Sequence, residues 1–393
     1  MSDGLKQGWR RLRFEQMAQN VNVRVDDPNE AGVEYYVGLE HLDSDSLKIR
    51  RWGSPADVTA TKLLFEPGDI IFGRRRAYQR KLGVAEWRGI ASAHSLVLRA
   101  KPDVVLSEFL PFFMQSDIFM DRAQRISVGS LSPTINWKTL AKEEFALPSL
   151  EEQRHFLRLL TLLDHTKEQY RSLFDQLTRV KDSSLNQWQT DWEKRYGLRK
   201  VEDLLREKPR NGLSPPTVEA ETSLKTVSIS SIRNGIFLRE GCIKYTKASE
   251  ERAKPFLVSK HDVFVVRGNG NRLMAGQAGL AQTSYNDTFY PDLLIRLRFD
   301  ESVLAPKLAT AMWNSPRTHA RLIARAKSTN GIWKINGQDI RSHTLSVPPQ
   351  EVQKECLVIL GSLSESRKTC EQRLRAVEAQ KQVILRDLHG GNQ

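Results

Sequence analysis

Several things this 393-residue sequence does without narrow its nature first. No apolar run approaches the ~18 residues that a membrane-crossing helix requires. Only three cysteines occur, Cys242, Cys356 and Cys370, scattered and odd in number. That argues against a disulfide framework and for a reducing, cytoplasmic setting. The start runs from Met1-Ser2-Asp3-Gly4 into Arg10-Arg11-Leu12-Arg13 with no apolar core, so no secretory signal is expected. Catalytic signatures are missing too. The two Pro-Pro pairs, Pro215-Pro216 and Pro348-Pro349, lack the preceding Asn/Asp and following aromatic that mark adenine methylation. No lysine has an acid two residues before it, as many metal-dependent nucleases need. There is no Gly-Lys-Ser/Thr to cradle a phosphate, and the eight histidines show no metal-ligand spacing. No catalytic residue and no metal ligand is therefore expected.

What is present is a core-forming chain with excess positive charge. Hydrophobic residues make up 39% and charged residues 27%, which excludes a disordered chain. The net charge of +13 fits a polyanionic partner. Nearly all of it lies in residues 193–347, which carry +11. Residues 1–148 are nearly balanced but polarised, because Arg74-Arg75-Arg76-Ala77-Tyr78-Gln79-Arg80-Lys81 holds five bases and no acid.

The chain also repeats itself at an offset of 200. Ile135-Asn136 matches Ile335-Asn336, and Pro148, Glu151 and Gln153 match Pro348, Glu351 and Gln353. Such a period is too long for a solenoid and reads as a duplicated unit: a mixed globular segment, then a long helix. Strands are predicted at 69–72, 95–99, 262–266 and 293–297, and helices at 106–125 and 305–325. Long helices are predicted at 149–192 and 348–390. In the first, Ser149 and Glu152 form a capping box, and the apolar seam is Tyr170, Leu173, Leu177, Val180 and Trp188. In the second it is Leu363, Cys370, Leu374, Val377, Ile384 and Leu388, with Lys381 in step. About 40 residues span roughly 60 Å, and seams this narrow call for a partner. The expected fold is α+β: two mixed globular domains, 1–148 and 193–347, separated by two antiparallel coiled-coil helices with pseudo-twofold symmetry.

Duplicated domain–helix units, with helices announced by Leu-Pro-Ser-Leu-Glu-Glu-Gln-Arg (147–154) and Val-Pro-Pro-Gln-Glu-Val-Gln-Lys (347–354), resemble the specificity subunit of type I restriction–modification enzymes. Pro67-Gly68-Asp69-Ile70-Ile71-Phe72, Ile135-Asn136-Trp137 and Tyr290-Pro291-Asp292-Leu293 carry the same resemblance. It covers nearly the whole chain. It implies a subunit without catalytic activity, whose globular segments are target recognition domains. Each would read one half of a bipartite site on double-stranded DNA. The helices would set the spacer and dock two methyltransferase (M) subunits, which bind S-adenosylmethionine. Motor-nuclease (R) subunits would add ATP and magnesium chemistry, leaving this chain without a cofactor. The competing reading is a coiled-coil scaffold that binds nucleic acid without regard to sequence, which random competitor DNA would reveal.

Candidate DNA contacts follow the predicted strands. Arg74, Arg75, Arg76, Tyr78, Arg80 and Lys81 suit phosphates and guanine edges, against the bland alternative of a solvated basic turn. Arg267, Asn269, Asn271 and Arg272 hold the equivalent place, where asparagine suits adenine and a Gly/Asn hairpin turn is the alternative. Two polar loops add Ser130, Ser132 and Thr134, and Lys327, Ser328, Asn330 and Lys334. Trp333 and His94 are expected to be buried, and Asp292 to form a turn. Phe156, Leu159, Phe174 and Trp192 are expected to face outward and meet partner subunits.

Overall fold

A computed structural model describes residues 5–329 and 331–388, with the Thr329 side chain left aside. The chain divides into two compact units, residues 1–172 with 371–393, and residues 173–370. Two long helices, Leu150–Tyr196 and Gln350–Asp387, each contribute to both units. Among the described residues no helix is long and apolar enough to cross a membrane.

At the centre of the first unit, Ile70–Gly73 pairs antiparallel with Leu82–Val84 on one side and Ser95–Ala100 on the other. Ala18–Asn20 completes this sheet. A second four-stranded sheet, Arg24–Val25, Lys62–Phe65, Gly89–Ser92 and Tyr36–Val37 in that order, packs its own small core around Val37, Phe65 and Ile71. The second unit repeats the central pairing with Val263–Val266 between Ala278–Leu280 and Leu294–Leu297. Each central strand is a run of fully buried residues, because both of its faces are covered.

The same fastenings recur in both units. Asp69, wholly buried, takes a two-pronged bond from Arg99 (2.7 and 2.9 Å) and accepts the Glu66 N–H. Asp262 does the same with Arg298 and the Ser259 N–H. Gln153 donates to the carbonyls of Val104 and Pro148 and accepts the Leu106 N–H. Gln353 donates to Val303 and Pro348 and accepts the Ala305 N–H. The duplication read from the sequence is thus a duplication of buried hydrogen bonds.

Each single helix predicted at 106–125 and 305–325 is two. The first breaks into Phe109–Gln115 and Asp117–Arg125, the second into Pro306–Trp313 and Pro316–Ile323. Ser116 and Ser315 are extended rather than helical at the break. Each hydroxyl caps the following helix, and Pro316 at the first helical turn removes an N–H that continuation would require.

Within each unit the two long helices run antiparallel. In the first, Lys167 Nζ meets Glu378 and Lys381 Nζ meets Asp164, both at 2.8 Å, and Leu160 shares a core with Leu385 and Leu388. In the second, the Arg367 guanidinium lies 4.7 Å over the Phe174 ring, and Leu185 shares a core with Cys356 and Leu360. Of the seam predicted for the second helix, Cys370, Val377, Lys381 and Leu388 are buried and Leu363, Leu374 and Ile384 half-buried. Of the seam predicted for the first, Tyr170, Leu177 and Trp188 are half-buried, Trp188 against the second unit's core, but Leu173 and Val180 are exposed. The neighbouring positions Phe174 and Lys181 turn inward in their place, with Leu160, Asp164, Lys167 and Leu185. The middle of that face is polar, so following the apolar residues led in part onto the neighbouring stripe.

Candidate nucleic-acid interface

In both units the central strand leads straight into the candidate loop. Arg74 is fixed by its backbone, its N–H on the His94 carbonyl (3.1 Å) and its own carbonyl accepting the Ile135 N–H (2.9 Å). Arg267 has the same two bonds, to Leu293 and from Ile335. The two Ile-Asn pairs recognised as repeats therefore pin equivalent arginines.

Beyond Arg74 the chain is held in an unusual shape. Arg76 and Arg80 are both left-handed, at φ 58° and 51°, on either side of the turn Ala77–Gln79. That conformation costs a non-glycine residue about 1 kcal/mol or more. The Arg80 side chain offsets it, with Nε on Asp45 (2.6 Å), Nη1 on Asp117 (3.0 Å) and Nη2 on the Gln115 carbonyl. Lys81 Nζ bonds the Leu39 carbonyl (2.6 Å). These two side chains, expected to contact DNA, also anchor the loop, Arg80 through three partners and Lys81 through one.

The loop they anchor presents Arg75, Arg76 and Tyr78. Ser132 Oγ accepts Nε of both Arg75 (2.7 Å) and Arg76 (3.2 Å), fanning the two guanidiniums from one point. Among the described residues no carboxylate pairs with Arg75 or Arg76, and Arg76 and Tyr78 are exposed. Ser130 is exposed on the neighbouring loop, while the Thr134 hydroxyl is spent on the Ser132 carbonyl. His94, expected to be buried, is exposed, with its ring 3.5 Å from Arg75 Nη1.

In the second unit three short strands, Gly268–Asn269, Ile332–Lys334 and Lys327–Thr329, form a small antiparallel ribbon. The first unit has its rudiment in the bridges of Thr134 to Arg75 and Val128. Lys327, Ser328 and Lys334 are exposed on this ribbon, and Asn330 lies outside the described residues. The Asn269 side-chain oxygen accepts the Asn271 N–H, and that of Asn271 accepts the Leu273 N–H. Both asparagines thus help to build the turn, as the hairpin alternative expected, with their side-chain NH2 groups not used in these bonds. Arg272 lies 4.8 Å over Trp333, which is half-buried rather than core. Asp292 accepts the Ser214 hydroxyl and stands 4.0 Å from Arg267, consistent with its expected place in a turn.

The expected partner-facing residues separate. Leu159 is exposed. Phe156 is half-buried against the first unit's core, and Phe174 is half-buried beneath Arg367. Trp192 is 5% exposed, a member of the second unit's core, and so does not face outward. Among the described residues no group of His, Cys, Asp and Glu is placed to hold a metal.

Sequence reasoning missed the apolar loop tips Leu131 and Leu273, exposed at 92% and 70% beside these arginines. Their only signal was an apolar residue inside a Gly/Ser or Gly/Asn loop.

No family model matches the chain. It is 25% identical over 342 residues to the specificity subunit of the type I restriction enzyme EcoKI of Escherichia coli K12, a match spanning 81% of this chain and 73% of that one. It is 27% identical over 152 residues to the EcoDI specificity subunit of Escherichia coli, spanning 38% of this chain and 33% of that one. In fold it matches the type I restriction–modification system S subunit of M. genitalium, with a TM-score of 0.58, 10% identity, and coverage of 100% of this chain and 98% of that one. A second solved chain, from work on assembly and conformational transition of a type I R-M system, gives a TM-score of 0.53 at 18% identity, with 99% of each chain covered. In sequence and in fold, the chain is similar to the specificity subunits of type I restriction–modification systems.

Proposed function

We propose that this chain is the DNA-recognition subunit of a type I restriction–modification complex. Each unit reads one half of a bipartite target, and the antiparallel helices set the unread gap and dock two methyltransferase subunits. The observation that carries the reading is the repeated placement of arginines. In both units a buried strand delivers an arginine pinned by the same two backbone bonds, next to Arg75 and Arg76 in one and Arg272 in the other, which pair with no carboxylate among the described residues. Phosphate contacts set register on a duplex and base-edge contacts specify sequence. Two such loops on one chain suit two short words. The chain itself carries no catalytic group in this reading. S-adenosylmethionine, ATP and magnesium belong to the methyltransferase and motor-nuclease partners.

The test is a genome-wide map of methyladenine in a host with this chain and its methyltransferase, compared with a host lacking only this chain. A two-word interrupted motif that disappears with the chain is the expected result. Methylation that persists unchanged without it overturns the proposal.

A further inference from the structure

Exposed leucines are ordinary, but three of the most exposed large apolar side chains cluster on the two candidate loops. Leu131 is 92% exposed, Val128 79% and Leu273 70%. Leaving a leucine in water forgoes roughly 2 kcal/mol of burial. Neither leucine sits on a slack segment. Val128 and Thr134 exchange both backbone bonds (3.1 and 2.9 Å), closing the base of the loop that carries Leu131. The N–H of Leu273 is held by Asn271 Oδ1 (2.9 Å) and that of Met274 by the Asn271 carbonyl (3.0 Å). Both apolar tips are therefore built outward.

A cation stands beside each of them. Arg75 and Arg76 fan from Ser132, one residue from Leu131, and Arg272, stacked on Trp333, precedes Leu273. The two leucines are not equivalent in the repeat. One lies in the loop before Ile135, the other in the loop after Arg267. Two different segments place the same combination beside the same pinned arginine. An apolar tip beside a guanidinium complements a partner that is anionic outside and apolar inside, which describes a stacked duplex.

We propose that Leu131 and Leu273 are wedges that enter a groove, unstack a single base step in each half-site and bend the DNA there. Apolar wedges of this kind kink a duplex by roughly 20–90° and recover the unstacking cost through added contact. The inference rests on the DNA-recognition reading above.

The test uses the full chain and a duplex carrying both mapped words, with donor and acceptor dyes at its ends. Binding by the unaltered chain is expected to raise energy transfer. Leu131→Ala/Leu273→Ala is expected to abolish that rise and weaken binding about tenfold, with each single substitution reducing the bend. Leu131→Met/Leu273→Met keeps an apolar wedge and is expected to keep the bend. Two results overturn the wedge while leaving the reading intact: selective binding with no change in transfer, or an unchanged bend in the double alanine variant. Failure of the unaltered chain to prefer this duplex over a scrambled one overturns the reading itself and the wedge with it.

Discussion

Arg75 and Arg76 share one hydroxyl as a pivot, so the recognition role proposed for them is separable from the loop's integrity. Arg75→Ala/Arg76→Ala is expected to weaken the first half-site by about 1–3 kcal/mol per lost base contact and leave the second word unchanged. Methylation maps of variant and parent show this directly, and equal loss at both words would contradict separate readers. Arg80→Ala should behave differently, lowering the melting temperature, because its guanidinium fastens the loop to Asp45 and Asp117. The sequence displayed five bases in eight residues but gave no sign of which faced inward. That choice depends on the left-handed turns and on acids 35 and 37 residues away in the chain. His343 gives the second unit an acid-labile point. Burial, with Arg321, Arg325 and His319 nearby, pushes its pKa down to about 3. Unfolding returns it to about 6.5, so the unfolded chain binds the extra proton and stability falls as pH drops through that interval. The expected loss is about 2 kcal/mol by pH 5. Urea unfolding at pH 7 and pH 5 measures it, and His343→Leu should flatten the difference.

At the scale of the element, the long helices bring an unusual polar pair to their inner face. Lys381 is buried, bonded to Asp164 and 5.0 Å from the Phe112 ring. Burial pushes its ammonium pKa down, and Asp164 acts in the opposite direction. Removing one member of such a pair costs about 3 kcal/mol, whereas replacing both with apolar residues is often neutral or stabilising. Lys381→Met alone is therefore expected to lower the urea midpoint, and Asp164→Leu/Lys381→Met to restore or exceed it. A double variant no more stable than the single one would mean the pair is not coupled. The helices themselves were legible in outline because their spacing of three and four persists. The seam of the second was legible because its inward residues are mostly apolar. That of the first was misread in part because Asp164, Lys167 and Lys181 face inward while Leu173 and Val180 face out. The short helix pairs were merged for a similar reason: Ser116 and Ser315 are compatible with helix, and only their extended backbone makes the break.

At the scale of the molecule, the proposed reading makes helix length a ruler. Inserting one heptad into each long helix adds about 10 Å, or about three base pairs of unread gap, without altering either word. A methylation map of the lengthened chain checks this, and a folded insertion with unchanged spacing would remove the ruler. The charge of +11 in residues 193–347 adds a second expectation: binding of the second half-site should fall more steeply with salt than binding of the first. The repeat was legible at an offset of 200 through Gln153 and Gln353, and with a small slip through Asp69 and Asp262, all four of them buried. One aspect of that organisation reaches into biosynthesis. The first unit is assembled from two distant stretches, and Leu385 and Leu388 close a core begun by Phe14 and Met17. A nascent chain leaving the ribosome holds that core open through the synthesis of the entire second unit. The unit made first is the last to finish folding, and a message cut short near codon 370 yields an uncovered apolar face for chaperones and proteases to find.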